Sequence, residues 1–261
     1  MNRVAECFEL KRRQNQKVLI PYMMGGYPNL PDSAAALEIL AEAGADLIEV
    51  GIPFSDPLAD GPVIQAAGQQ ALTNGCTFSR LMQELGPVVK ALPIPVMMMA
   101  YYNIIFQRGV RRFVEEIKDN GFSGVIVPDL PPEEADELRD AGREFEIGLS
   151  FLVAPTSTSQ RIRSASHGST GFIYAVSLKG VTGAREHLPP ELPEFLQRIR
   201  RQTDKPVAVG FGIAQPWQAQ RIAQMADGII VGSAVIQRMS EEQGLKSAGM
   251  FLREMREAIG K

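Results

Sequence analysis

The run Val18-Leu19-Ile20-Pro21-Tyr22-Met23 is followed by an amphipathic stretch over residues 33–43, a Gly at 44, and then Asp46-Leu47-Ile48-Glu49-Val50. This reads as strand, helix, strand. The two apolar runs carry hydrophobic residues in succession rather than in alternation, which suits strands covered on both faces. The stretch between them repeats its apolar residues at helical spacing and ends at Gly44, a C-cap signal. The same unit recurs along the chain. Strands are expected at residues 18–23, 46–50, 96–101, 124–127, 147–152, 171–176, 207–210 and 228–231, eight in all. Helices are expected between them, over residues 33–43, 77–91, 110–120, 132–142, 159–166, 193–202 and 215–225, with a last one at 243–259. Glu133 and Glu134 then fall in a first helical turn, where negative charge is favoured. Eight such alternations predict an α/β protein, a single (β/α)8 TIM barrel over residues 1–261 with an extra N-terminal helix. A doubly wound open sheet is the alternative. It often carries a Gly-rich dinucleotide loop after its first strand, and Gly25-Gly26-Tyr27-Pro28 is not that loop.

Composition narrows the function. The chain has 261 residues, 45% hydrophobic and 22% charged, with a net charge of −3. Nothing points to nucleic acid, and no apolar run approaches the roughly 18 residues that span a bilayer. The N-terminus has no signal-peptide core, so a cytoplasmic protein, or a plastid equivalent, is expected. Cys7 and Cys76 form no metal or redox motif, and His167 and His187 are too few for a histidine metal site. No metal is expected.

In a parallel barrel the chemistry sits where strands end. There the second strand gives Glu49, followed by Gly51-Ile52-Pro53-Phe54-Ser55-Asp56-Pro57-Leu58-Ala59-Asp60-Gly61-Pro62. A carboxyl leaving a strand, with another on the loop beyond, is an acid/base layout. Apolar surroundings would raise its pKa. The plain alternatives are a structural Glu49 paired with an arginine, and Asp60 as a helix N-cap before Pro62. Asp56-Pro57 likewise reads as turn chemistry. Three glycine loops follow late strands: Gly180-Val181-Thr182-Gly183, Gly210-Phe211-Gly212-Ile213 and Gly232-Ser233-Ala234, the last opening a short helix. Their N–H groups suit a phosphate, which barrels commonly hold after strands seven and eight. Residues 178–190 are long for a connection and suit a lid. Tyr22, Met99 and Phe211 are candidates to line an apolar pocket for a flat ring; Tyr174 either packs or faces the ligand.

Taken together, these segments resemble the tryptophan synthase α chain. The resemblance rests on Pro21-Tyr22, the run from Leu47 to Gln65, Tyr101-Tyr102-Asn103, Pro128-Asp129-Leu130-Pro131, Ala154-Pro155-Thr156-Ser157 and the three glycine loops, in family order. It implies cleavage of indole-3-glycerol phosphate to indole and glyceraldehyde 3-phosphate. Glu49 would transfer the proton, Asp60 would face the indole N–H, and Tyr174 would stand near Glu49. Tyr22, Met99 and Phe211 would line the ring pocket; Gly183, Gly212, Gly232 and Ser233 would hold phosphate. Thr182 would meet Asp60 when the lid closes. The resemblance also implies an αββα assembly with a β chain that carries pyridoxal phosphate, this chain having no cofactor of its own. Asp56, Pro57, Asn103 and Asp129 would lie at that contact. Two positions depart from the pattern. Met24 replaces a small hydroxyl residue, which would alter hydrogen bonds behind the catalytic loop, and Leu178-Lys179 replaces an Arg-containing pair in the lid.

The chemistry agrees with the residues. Protonating indole C3 makes an electron sink, and taking the proton from the neighbouring hydroxyl breaks the carbon–carbon bond. That needs a carboxyl near C3 and an anion near the ring N–H. Other readings are a Schiff-base aldolase using Lys179, a non-catalytic partner subunit, and a phosphosugar isomerase. Lys179 lies beyond its strand, poorly placed for a desolvated amine.

Overall fold

A computed structural model of the protein describes residues 1–176 and 188–260. Nine short strands form one parallel sheet: β1 (Val18–Met24), β2 (Ile48–Gly51), β3 (Val96–Met99), β4 (Gly124–Ile126), β5 (Gly148–Leu149), β6 (Leu152–Val153), β7 (Ile173–Val176), β8 (Val207–Gly210) and β9 (Gly228–Val231). Their order is β5-β4-β3-β2-β1-β9-β8-β7-β6. The two ends of that order, β5 and β6, are consecutive in the chain, so the sheet closes on itself as a barrel with helices outside.

The expected fifth strand, residues 147–152, is therefore two pieces. Gly148–Leu149 pairs with β4, and Leu152–Val153 pairs with β7. Side chains carry the ladder across the break between them. Phe172 N–H donates to the Ser150 hydroxyl at 3.1 Å, and Phe151 N–H donates to the Ser169 hydroxyl at 3.0 Å. A buried N–H needs a partner, and here hydroxyls supply what a neighbouring strand would.

Helix boundaries follow local chemistry. Asn29 caps the helix Leu30–Glu42 by accepting from Asp32 N–H at 2.9 Å, and Thr77 caps Phe78–Ala91. The expected helix at 132–142 is instead a 3-10 turn, Pro132–Glu134, followed by Asp136–Glu144. Glu133 and Glu134 thus belong to the turn. Two helices lack strong periodicity and are additional to the expected set: Pro62–Thr73, rich in Ala and Gln, and the seven-residue Tyr102–Arg108.

Alternate residues of each strand face inward. Ile20, Leu47, Met97, Ile126, Phe172, Ala208 and Ile230 fill the barrel, and Val4 and Phe8 from the N-terminal helix Arg3–Arg13 plug its lower end. Phe8 meets Phe172 at 5.1 Å between ring centroids. Glu49 is the next inward residue after Leu47, so strand alternation directs it to the interior.

Asp46, at the entry to β2, ties the ends of the chain together. It is buried, 2.6 Å from the Lys11 ammonium and 2.7 Å from the Arg256 guanidinium, and accepts Leu19 N–H at 2.8 Å. Removing one member of such a group strands the others in a dry place. Asp46→Ala is expected to lower stability by about 3 kcal/mol, read as a shift in the urea midpoint. A change within experimental scatter would mean that the cluster is solvated.

Candidate active site

Two acids are buried in the described part of the chain, Asp46 and Glu49, and they differ in one respect. Asp46 has two cations. Glu49 is 0% exposed, and among the described residues it has no ion-pair partner within 4.0 Å. The arginine-paired reading of Glu49 thus has no support there. Its neighbours on the sheet are Tyr22 on β1 and Met97 on β3. The Tyr174 hydroxyl donates to Glu49 Oε2 at 3.5 Å, the long end of a hydrogen bond, and Oε1 is buried without a partner. Burial above all, and the charge of Asp60 next, push the Glu49 pKa up to about 8; the Tyr174 hydrogen bond opposes this weakly.

Asp60 lies on the long loop after β2. It does not cap the following helix: Gly61 occupies that position without a side-chain bond, and the Asp60 carbonyl accepts from the Gln65 amide at 2.9 Å. Burial raises the Asp60 pKa to about 6, and a hydrogen bond from Tyr101 pulls it back. Near neutral pH the two carboxyls therefore differ. Glu49 is protonated and Asp60 is ionised, the division of labour that acid/base sites use.

A cavity of about 160 Å³ opens at the C-terminal ends of the strands. Tyr22, Asp60, Met99, Tyr174, Phe211, Gly212, Gly232 and Ser233 are on its wall, with Leu152 and Ile230. Glu49 lies behind that wall, covered by Tyr22 and Tyr174. Two glycines give these rings their room. A Cβ on Gly51 would sit 2.1 Å from the Tyr22 hydroxyl, and one on Gly210 would sit 3.0 Å from the Tyr174 ring. Gly212 has φ +66°, which a side chain would strain. Gly232 precedes the helix Ser233–Met239, whose first N–H groups have no acceptor within the helix. Thr182 and Gly183, and with them Lys179, lie outside the described residues, as does most of the expected lid 178–190, since residues 177–187 are not described. Met24 packs toward Gly68 as a buried apolar contact. A second, larger cavity, about 800 Å³, lies at the opposite face beneath the N-terminal helix. Its wall includes the ion-paired Arg200 and Asp227 and none of the residues of the candidate site.

Asp56, Pro57, Asn103 and Asp129 are not on this cavity wall: Asp56, Pro57 and Asp129 are on loops after strands and Asn103 is in the first turn of the helix Tyr102–Arg108. Asp129 accepts Tyr102 N–H at 2.8 Å, and Asp56 and Asn103 are exposed. Near them in sequence are two exposed apolar residues that the sequence pattern does not single out, Leu58 at 95% and Phe106 at 66% exposure. Tyr101 is marked in the sequence only as part of the Tyr101-Tyr102-Asn103 motif, with no role given to it; its hydroxyl accepts Ala59 N–H at 3.0 Å. A Tyr next to a strand end gives no periodic signal. Among the described residues no group of three or more His, Cys, Asp or Glu is placed to hold a metal, and no helix is long and apolar enough to cross a membrane.

A closed parallel barrel with an acid buried beneath its C-terminal mouth and, among the described residues, without an ion-pair partner is the layout of an enzyme that moves protons. Known proteins make the class specific. The family model described as "Tryptophan synthase alpha chain" matches residues 8–259. The tryptophan synthase alpha chain of Trichodesmium erythraeum is 45% identical, covering 98% of each chain, and that of Arabidopsis thaliana is 42% identical, covering 98% of this chain and 95% of its own. A Mycobacterium tuberculosis tryptophan synthase structure superposes with TM-score 0.92 at 37% identity, covering 99% of this chain and 98% of its own. The chain belongs to the tryptophan synthase alpha chain family. It is a lyase of tryptophan biosynthesis, cleaving indole-3-glycerol phosphate to indole and glyceraldehyde 3-phosphate.

The buried acid makes stability depend on pH with a defined sign. The native state holds the Glu49 proton up to about pH 8, whereas the ordinary value is 4.5. Its contribution is full below the unfolded value and is lost as pH rises toward 8. Glu49→Gln should match the parent near pH 4 and exceed it in stability at pH 9, by ~1.4 kcal/mol for every pH unit that separates the native from the unfolded titration. Urea midpoints at the two pH values check this; an equal difference at both would refute the burial account.

Proposed function

We propose that Glu49 is the proton carrier of the lyase reaction and Asp60 the anion that stabilises the charged indole ring. The observation that carries this is Glu49 itself: wholly buried, holding its proton up to about pH 8 and, among the described residues, without a cation and bonded only to Tyr174. As a neutral acid it gives its proton to indole C3. The positive charge that results spreads to the ring nitrogen, where ionised Asp60 on the cavity wall faces it. The Glu49 carboxylate is then a strong base in a dry place and takes the proton of the adjacent hydroxyl. The carbon–carbon bond breaks, an aldehyde forms, and indole recovers its aromaticity. Glu49 ends protonated again.

The wall suits the two ends of the substrate. Tyr22, Met99 and Phe211 offer apolar surface to the ring. Among the described residues no Lys or Arg lines the cavity, so phosphate is held by backbone N–H groups at Gly212, Gly232 and Ser233. Thr182 and Gly183 complete the site in this reading. Tyr174 orients Glu49. The chemistry needs neither metal nor cofactor in this chain, which works as one barrel domain.

We further propose that the chain joins a β chain carrying pyridoxal phosphate in an αββα assembly. Asp56, Pro57, Asn103 and Asp129 would form part of the contact, and exposed Leu58 and Phe106 support an apolar patch there.

Glu49→Gln should retain substrate binding and lose about 10²–10⁴-fold in turnover, measured as indole release from indole-3-glycerol phosphate with a β chain present. A near-normal rate would remove Glu49 from its role. Phe106→Asp should weaken β-chain affinity by about tenfold or more, measured by titration calorimetry; unchanged affinity would place the contact elsewhere.

A further inference from the structure

Asp60 stands on a ten-residue excursion between β2 and the helix Pro62–Thr73, and a loop of that length does not by itself hold a carboxylate in register with a ring nitrogen. Something must fix it. The structure offers two side chains that grip its backbone next to the acid. Gln65, in the first turn of the helix, donates to the Asp60 carbonyl at 2.9 Å. Tyr101, at the exit of β3, accepts Ala59 N–H at 3.0 Å.

Tyr101 does more than grip the backbone. A phenol has one proton to give. Because Ala59 N–H must be the donor in its bond with Tyr101, the phenol proton is left free toward the neighbouring Asp60 carboxylate, whose pKa Tyr101 lowers. The ring is fixed as well. It stacks on Phe54, near the start of the same loop, with centroids 5.1 Å apart and planes 24° from parallel. Its backbone is fixed in turn: the next residue, Tyr102, gives its N–H to Asp129 at 2.8 Å. Tyr101 is buried and therefore loses little freedom in holding this pose.

We propose that Tyr101 is a positioning residue of the lyase reaction: through Phe54 and Ala59 it clamps both ends of the 52–61 loop and so holds the Asp60 carboxylate on the cavity wall. The proposal rests on the role given above to Asp60. Tyr101 itself is not placed against the reacting atoms. Among the described residues the other groups that act on Asp60 and its partners are acids or phenols: Glu49 on β2, Tyr22 on β1, Tyr174 on β7, and Asp129, which acts on Tyr101. None of these is a cation that would keep Asp60 charged in the absence of the phenol. Burial alone pushes Asp60 toward neutrality, and the Tyr101 hydrogen bond opposes it.

The test is Tyr101→Phe, which keeps the ring stack and removes the hydroxyl. The acidic limb of the kcat/KM profile for indole-3-glycerol phosphate should move up by about one pH unit, with activity at pH 7 down by about tenfold. Carbonyl-carbon NMR of Asp-labelled protein follows the Asp60 titration without turnover and should move by the same amount. A limb and a titration both left in place would overturn the proposal. Asp60→Asn separates this from the reading beneath it. If that variant keeps its rate, the role of Asp60 is wrong; if it loses its rate while the Tyr101→Phe titration is unmoved, only the role of Tyr101 is wrong.

Discussion

A carboxyl group buried in the barrel, with no positive partner among the described residues, is the constraint around which this protein is arranged. Burying a charge without compensation is costly, so the group holds its proton instead. Everything near Glu49 respects that state. Leu47 and Met97 keep water out from below and from the side, Tyr22 and Tyr174 roof it, and the one hydrogen bond it receives is long. The contrast with Asp46 is instructive. The same residue class, three positions earlier, is paired with Lys11 and Arg256 and serves the fold alone. Which acid does chemistry is decided by the company each keeps.

That arrangement explains why the barrel interior is built in layers. Phe8 and Phe172 close the lower end, and aliphatic side chains fill the middle. The uppermost layer then meets the cavity, where rings and glycines alternate. Gly51 and Gly210 have no side chain because Tyr22 and Tyr174 occupy that space. The glycines are the complement of the aromatic residues, and the pair together sets the depth at which Glu49 lies.

The second acid depends on a different kind of support. Asp60 is on a loop, partly open to solvent, and its ionised state rests on the balance between burial and the Tyr101 phenol. One carboxyl is thus governed by the rigid sheet and the other by a clamped loop. That division suits a site in which the proton donor must stay dry while the anion meets a ligand that enters from outside.

Much of this was legible in the chain. Successive apolar residues separated by helical periodicity define a parallel barrel, because a strand covered on both faces admits few polar residues and its return path needs a helix. The run from Glu49 to Pro62 placed one acid at the strand exit and the other on the loop beyond, since side-chain alternation and strand ends are local properties. What locality does not contain was decided by tertiary structure. The break at Ser150-Phe151 comes from the closure of the ring, where one strand must serve two neighbours that diverge. The bond of Tyr174 to Glu49 and the grip of Tyr101 on Ala59 join residues far apart in the chain. The sequence determined which groups reach the mouth of the barrel; only the packed fold, by removing water and choosing neighbours, determined which of them keeps its proton.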